Sequence, residues 1–207
     1  MSEKLYLYPV VIRVWHLINA LLILCMIITG ISLQYSDPNV PLINFAIAVE
    51  IHNLAGIFLS ISYLIFILGN IVSGNMKHYK VKFKGLLARN ITQFKYYTVG
   101  LFKGEKAPFP VTSENKFNPL QFTAYVSIMF FFVPLVIITG LGLLFPSLVP
   151  STFLGIGGIF LTAILHVIAG FFISIFLFIH VYFCTIGSSP TSNFKSIITG
   201  YHDSEGH

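Results

Sequence analysis

Charge is what this sequence lacks most. Only 9% of its 207 residues are Asp, Glu, Lys or Arg, about a third of the roughly 25% found in an ordinary soluble domain, and this excludes a water-facing globular surface. Cysteine is scarce as well. Cys25 and Cys184 stand far apart, with no C-x-x-C, no C-x-x-C-H and no zinc spacing, so they read as free thiols and exclude covalent c-type haem attachment. Basic residues exceed acidic ones, 12 against 7, but a nucleic-acid reading needs a basic stripe on a soluble scaffold. With 56% apolar residues and a mean hydropathy of +0.84, the solvent of this chain is the bilayer.

Four apolar runs are long enough to cross about 30 Å of hydrocarbon. They fall at 12–33, 46–72, 119–145 and 157–186. Helices satisfy their own backbone polar groups in lipid, so the expected fold is an all-α integral membrane four-helix bundle, with 1–207 as a single domain. The first run exceeds the apolar core of a signal peptide, lacks an A-x-A cleavage pattern and carries a histidine, and is read as a retained helix. No internal repeat or low-complexity stretch is visible.

The scarce charge is unevenly placed. The connection 73–118 holds Lys77, Lys80, Lys82, Lys84, Arg89, Lys95, Lys103, Lys106 and Lys116 against Glu105 and Glu114, whereas the connections near 34–45 and 146–156 hold no Lys or Arg. Lys4, Arg13 and Lys195 lie near the termini. The positive-inside rule then places both termini and the long connection in the cytoplasm. Within that connection, 86–102 mixes aromatics with isolated basic residues, as an amphipathic helix on anionic lipid headgroups does; a solvated connector is the alternative.

Seven histidines are present. His78, His202 and His207 sit in polar segments and receive no role. His16, His52, His166 and His180 lie inside the apolar runs, where an ionisable group is costly and faces the bundle interior for a reason. The orientation puts His16 and His180 at the cytoplasmic level, and His52 and His166 at the outer level. His166 and His180 are 14 residues apart, close to four full helical turns, so they share one face at levels separated by about 21 Å. The expected pairs are therefore His16 with His180 and His52 with His166.

Two facing neutral imidazoles suit a six-coordinate haem iron. Zinc or copper sites usually recruit Cys, Asp, Glu or further His, and none shares either level. Two haems b stacked across the bundle follow. Gly30, Gly56 and Gly170 lie on the faces that would admit the flat macrocycle to the backbone, although small residues also serve plain helix packing. Proton relay is the competing role for the histidines, but relays add intramembrane carboxylates, and Glu50, near the outer surface, is the one acidic residue close to a span.

With this ligand set, the sequence resembles the four-helix di-haem cytochrome b family. That family includes bacterial cytochrome b561, the b-type subunits of nickel–iron hydrogenases, the formate dehydrogenase gamma subunit and thiosulfate-reductase cytochrome b. The resemblance covers nearly the whole chain and rests on several pieces: Arg13-Val-Trp-His16, Thr29-Gly30, His52-x-x-x-Gly56, Lys116-Phe-Asn-Pro-Leu-Gln121 before Ala124-Tyr125, Pro134, Thr139-Gly140, the His166 and His180 pair, and Ile198-Thr-Gly-Tyr201. It implies a multi-pass subunit of the bacterial inner membrane that moves electrons between a quinone, menaquinone or ubiquinone, and a periplasmic iron–sulfur or multihaem cytochrome partner. It also implies a quinone site beside the cytoplasmic haem near His180, with Asn118 in the loop before span three and Gln121 as its neighbour on the helical face. A helix cap followed by Pro119 explains Asn118 equally well.

Arg13, one turn before His16, is placed to pair with a haem propionate or to anchor among headgroups. On the outer side Asn53 or partner residues would hold the propionates. Trp15 reads as an interface aromatic. The Asn-Pro-Leu-Gln and Thr-Gly-Tyr pieces favour the thiosulfate-reductase-like branch of the family. The alternative, a stand-alone b561-type oxidase of a small reductant such as superoxide, favours a basic outer funnel, which this sequence lacks.

Overall fold

The computed structural model describes residues 4–6, 8–35, 37, 39–81, 83–109, 117–186 and 189–203. Lys82, Glu114, Lys116 and His207 of the readings above lie outside them. Four long helices form the body: α1 (Val10–Tyr35), α2 (Phe45–Val72), α4 (Pro119–Leu144) and α5 (Gly158–Cys184). Short helices α3 (Leu86–Lys95) and α6 (Ser192–Thr199) flank α4 and follow α5. The expected spans agree with these helices to within two residues at most ends.

Local chemistry sets the helix ends. Asn44 caps α2, its side chain accepting from the backbone N–H groups of Ala46 and Ile47 at 3.0 and 3.4 Å. Asn118 and Gln121 form a reciprocal capping box on α4, with Pro119 at the first helical position, where its missing N–H costs nothing. Helix α4 relaxes into a π-turn over Ile128–Phe132. Pro134 provides the cause, since it has no N–H to donate and its ring crowds the carbonyl one turn earlier.

At 26 to 28 residues, each span is about 40 Å long at 1.5 Å per residue, enough to cross the hydrocarbon and reach both headgroup layers. The packing is that of a protein dissolved in lipid. Positions between helices are small or polar: Ala48, Thr29, Ser32, Ala55, Thr139 and Ala169 are all buried, whereas Leu21, Leu64, Ile138 and Phe171 are more than half exposed. Where acyl chains are as apolar as leucine, small side chains bring backbones close and hydrogen bonds join helices. Thus Asn19 Nδ2 donates to Ser62 Oγ at 2.8 Å and the Trp15 indole N–H to the Ser62 carbonyl at 3.3 Å, with Trp15 stacked on Phe66. Trp15 is therefore a tie between α1 and α2 rather than a free interface aromatic.

The two ends of the bundle differ. At one end a strand β1 (Lys4–Tyr6) pairs antiparallel with β4 (Tyr201–Asp203), so the two termini are zipped together; the basic connection lies at this end. Gly200 makes the turn into β4 at φ +89, a conformation L side chains rarely adopt. Along the amphipathic segment the polar face turns inward: Gln93 is buried and Asn90 donates to Thr123 Oγ1 at 3.0 Å, while Leu87, Ile91, Phe94, Val99 and Phe102 face outward. At the opposite end the connections are short, including a hairpin of β2 (Thr152–Phe153) and β3 (Ile156–Gly157). We call these the basic end and the hairpin end.

Candidate functional site

The bundle brings the four half-buried intramembrane histidines together as the two expected pairs. At the hairpin end His52 of α2 faces His166 of α5, with ring centres 6.1 Å apart and planes 71° apart. At the basic end His16 of α1 faces His180 of α5, again at 6.1 Å, with planes 53° apart. No cluster of three or more His, Cys, Asp or Glu that could hold a metal occurs among the described residues; contrary to the expectation that no Cys shares either level, Cys184 Sγ lies 3.9 Å from His180 Nε2 at the basic end, one turn along α5.

The separation is a test of what fits between the rings. A metal–imidazole nitrogen bond of about 2 Å plus roughly 1 Å from nitrogen to ring centre, taken twice, separates the centres of a bis-imidazole iron by about 6 Å. Both pairs meet that spacing. A flat macrocycle also needs bare backbone beside it. Gly56 and Gly140 line a cavity of about 220 Å³ together with His52, Asn53 and His166. A Cβ on Gly30 would sit 3.5 Å from His52 Cε1, one on Gly140 3.1 Å from His166 Cε1, and one on Gly170 would meet nothing within 4 Å. The imidazole spacing suits a haem iron at both levels, and the cavity and bare backbone that a macrocycle needs lie at the His52–His166 level.

Three of the ligand candidates have a hydroxyl on Nδ1. Thr29 Oγ1 lies 2.8 Å from His52 Nδ1, Thr139 Oγ1 lies 3.1 Å from His166 Nδ1, and the Tyr125 hydroxyl lies 3.0 Å from His180 Nδ1. Such second contacts orient a ligating ring and leave Nε2 for the metal. Neither threonine nor Gly140 is among the residues that the sequence alone assigns to the site; Thr29-Gly30 and Thr139-Gly140 enter there only as pieces of the resemblance. Their signal along the chain is a Thr-Gly repeat near the hairpin end of spans one and three, each facing a histidine of the next span, and two residues per span are too few to stand out as an internal repeat.

At the basic end the surroundings are aromatic. Phe176 stacks on His180 with ring centres 5.7 Å apart, Tyr125 contacts the same ring, and Phe117 lies 5.1 Å from Tyr125. Asn118 sits behind Phe117 and is buried. Its Oδ1 accepts from the Gln121 N–H at 2.9 Å, its Nδ2 donates to the Tyr97 hydroxyl at 2.8 Å, and Gln121 Oε1 accepts from the Asn118 N–H at 3.2 Å. The cap is thus fully formed. Tyr97 packs on Phe183 at 4.6 Å, three residues beyond His180. Burial, partly offset by hydrogen bonds from Gln93 and Asn118, pushes the Tyr97 phenol above its ordinary pKa and keeps it protonated at neutral pH.

Arg13 donates from Nη1 to the carbonyl of Ile198, in the last turn of α6, where a cation is favoured. Its Nε is buried with no hydrogen-bond partner. An orphaned guanidinium N–H one turn from His16 suits a haem propionate, so Arg13 is able to join α6 to the basic-end site.

Two comparisons with known proteins bear on this geometry. Residues 7–200 match the family described as prokaryotic cytochrome b561. A protein of Escherichia coli (strain K12) named "Putative cytochrome YdhU" is 38% identical over 201 residues, 97% of this chain and 76% of that one.

Proposed function

The chain belongs to the prokaryotic cytochrome b561 family, a family of multi-pass b-type membrane cytochromes, and from that premise we propose that it is the two-haem membrane subunit of a respiratory oxidoreductase. In this reading the basic end is cytoplasmic and exchanges electrons with the quinone pool. The hairpin end is periplasmic and exchanges electrons with an iron–sulfur or multihaem cytochrome subunit docked there. The thiosulfate-reductase-like branch is favoured by the Asn118-Pro-Leu-Gln121 and Thr199-Gly-Tyr201 pieces.

The observation that carries the proposal is the pair of opposed imidazoles at each of two levels, both at bis-imidazole spacing. Haem b, when bound, supplies one-electron exchange at iron. The chain's own residues do the rest. His16 with His180, and His52 with His166, would hold the iron, with Arg13 Nε placed for a propionate. Phe176, Phe117 and Tyr125 keep water from the cytoplasmic pair. Quinone chemistry needs proton donors and acceptors without added charge. The Asn118 amide, Gln121 and the protonated Tyr97 hydroxyl supply such groups at the edge of the cytoplasmic site.

Haem quantitation by pyridine haemochrome followed by potentiometric titration tests the proposal. Two haems b per chain with separable potentials, the periplasmic one lost in His166→Ala, are expected. One haem or none overturns the ligand scheme. Reduction of the bound haem by a quinol analogue in the purified protein tests the quinone side, and no reduction would remove it.

A further inference from the structure

We infer that Thr29 and Thr139 are a matched pair of positioning residues that set the ring orientation, and with it the reduction potential, of the haem held by His52 and His166 alone. The inference rests on the haem reading above and goes beyond it to residues outside the ligand set.

The argument begins from a count of protons. A threonine hydroxyl carries one hydrogen and two lone pairs. Thr29 Oγ1 donates that hydrogen to the carbonyl of Cys25 at 2.8 Å, one turn back in α1, and Thr139 Oγ1 donates its own to the carbonyl of Leu135 at 2.6 Å, one turn back in α4. Neither hydroxyl has a second proton to offer. The arrangement that satisfies both contacts of each hydroxyl makes it an acceptor from its histidine, with the hydrogen on His52 Nδ1 and on His166 Nδ1. The Nε2 lone pair is then free on both rings, at the two atoms that must face iron.

The two halves repeat each other. A Thr-Gly pair in the first helix of each hairpin faces a histidine in the second: Thr29-Gly30 against His52, and Thr139-Gly140 against His166. In both, the hydroxyl meets Nδ1 and the glycine lies against Cε1 of the same ring. The cytoplasmic pair has no such arrangement. His180 Nδ1 meets a phenol, Tyr125, and the residues facing His16 and His180 do not repeat. The fold thus gives one site two accepting hydroxyls. Acceptors on Nδ1–H raise the basicity of the ligating nitrogen, which favours the oxidised iron and lowers the potential.

Conservative variants separate this from plain packing. Thr29→Val and Thr139→Val preserve volume and remove the hydroxyl; Thr29→Ser and Thr139→Ser keep the acceptor. With both haems bound, each Val variant is expected to raise the periplasmic potential by roughly threefold in the oxidised-to-reduced ratio, and the double Val variant by about tenfold, about 59 mV for one electron. The cytoplasmic potential stays in place and the Ser variants titrate as wild type. A double Val variant that retains both haems at wild-type potentials overturns the inference, as does an equal shift at both haems. If Val costs the chain its haem altogether, the Ser pair decides: wild-type potentials support the acceptor role, and a shifted periplasmic potential refutes it. A wild-type protein with no bis-histidine haem at this level would instead sink the haem reading itself.

Discussion

Gly140→Ala is a sharp test of whether a haem occupies the His52–His166 level. The added Cβ would lie 3.1 Å from His166 Cε1 and 3.6 Å from His166 Nδ1, closer than the roughly 3.5–4.0 Å optimum of carbon–carbon contact. A free side chain would give by a few tenths of an ångström. His166 has little freedom to do so, because its Nδ1 is hydrogen-bonded to Thr139, the residue just before Gly140 on the same helix, and in the proposed haem-bound state its Nε2 would be taken by iron. Overpacking of this kind costs about 1–3 kcal/mol, and if it falls on the haem-bound state it weakens binding by roughly 5- to 150-fold. Gly69→Ala is the control, since its Cβ would meet nothing within 4 Å and it lies outside the site. Haem content and reduced-minus-oxidised spectra of the two purified variants provide the readout. Gly140→Ala is expected to lose the periplasmic signal in part or whole while keeping the cytoplasmic one, and Gly69→Ala to keep both. Normal haem content and potentials in Gly140→Ala, or an equal loss in Gly69→Ala, would refute the reasoning.

Other substitutions separate roles that coincide at one residue. Asn118→Asp retains the Oδ1 that caps α4 but loses the amide donor to Tyr97, so quinol-dependent haem reduction should slow with thermal stability little changed; Asn118→Ala should lose both, with about 1 kcal/mol of helix-cap stability. Gly200→Ala must place a side chain at φ +89 with its Cβ 2.8 Å from the Tyr8 carbonyl, and the positive φ alone costs about 1–2 kcal/mol; proteolysis of the terminal strands should rise while haem spectra hold. Tyr8 and Tyr97 have pKa values raised chiefly by burial above the ordinary 10.0. Their contribution to stability is fully present below pH 10 and is lost as pH rises through the higher folded values, so alkaline unfolding should begin above pH 10 and move to higher pH in Tyr8→Phe, which removes one of the titrating phenols. Arg13→Gln removes the charge facing a propionate and should shift the potential of the cytoplasmic haem alone, in the direction of easier oxidation.

The four spans, the polarity of charge along the chain and the two histidine pairs were legible before any coordinates because each depends on one-dimensional spacing. A stretch must be about twenty residues long to cross hydrocarbon, and 14 residues return a helix to nearly the same face, so His166 and His180 had to serve two levels. The cap at Asn118 was equally local. Partners contributed by a different helix could not be read this way. Thr29 looked like a small residue beside a glycine until α2 packed against α1 and put His52 Nδ1 2.8 Å away. Trp15 looked like an interface aromatic until Ser62 and Phe66 were seen against it. Arg13 was expected near a propionate or the headgroups, and the structure joins it to the carbonyl of Ile198, 185 residues along the chain.

What the sequence determined by itself is the solvent, the number of crossings and which residues bear the chemistry, since burying charge in lipid is so costly that four intramembrane histidines declare themselves. What the tertiary structure alone decided is how those residues are held. The 6.1 Å ring spacing, the contacts of Thr29 and Thr139 with the ring Nδ1 atoms, and the approach of Gly140 to His166 all depend on the rotation and separation of neighbouring helices. Those are set by the sum of many small packing contacts, which no single residue pattern along the chain encodes.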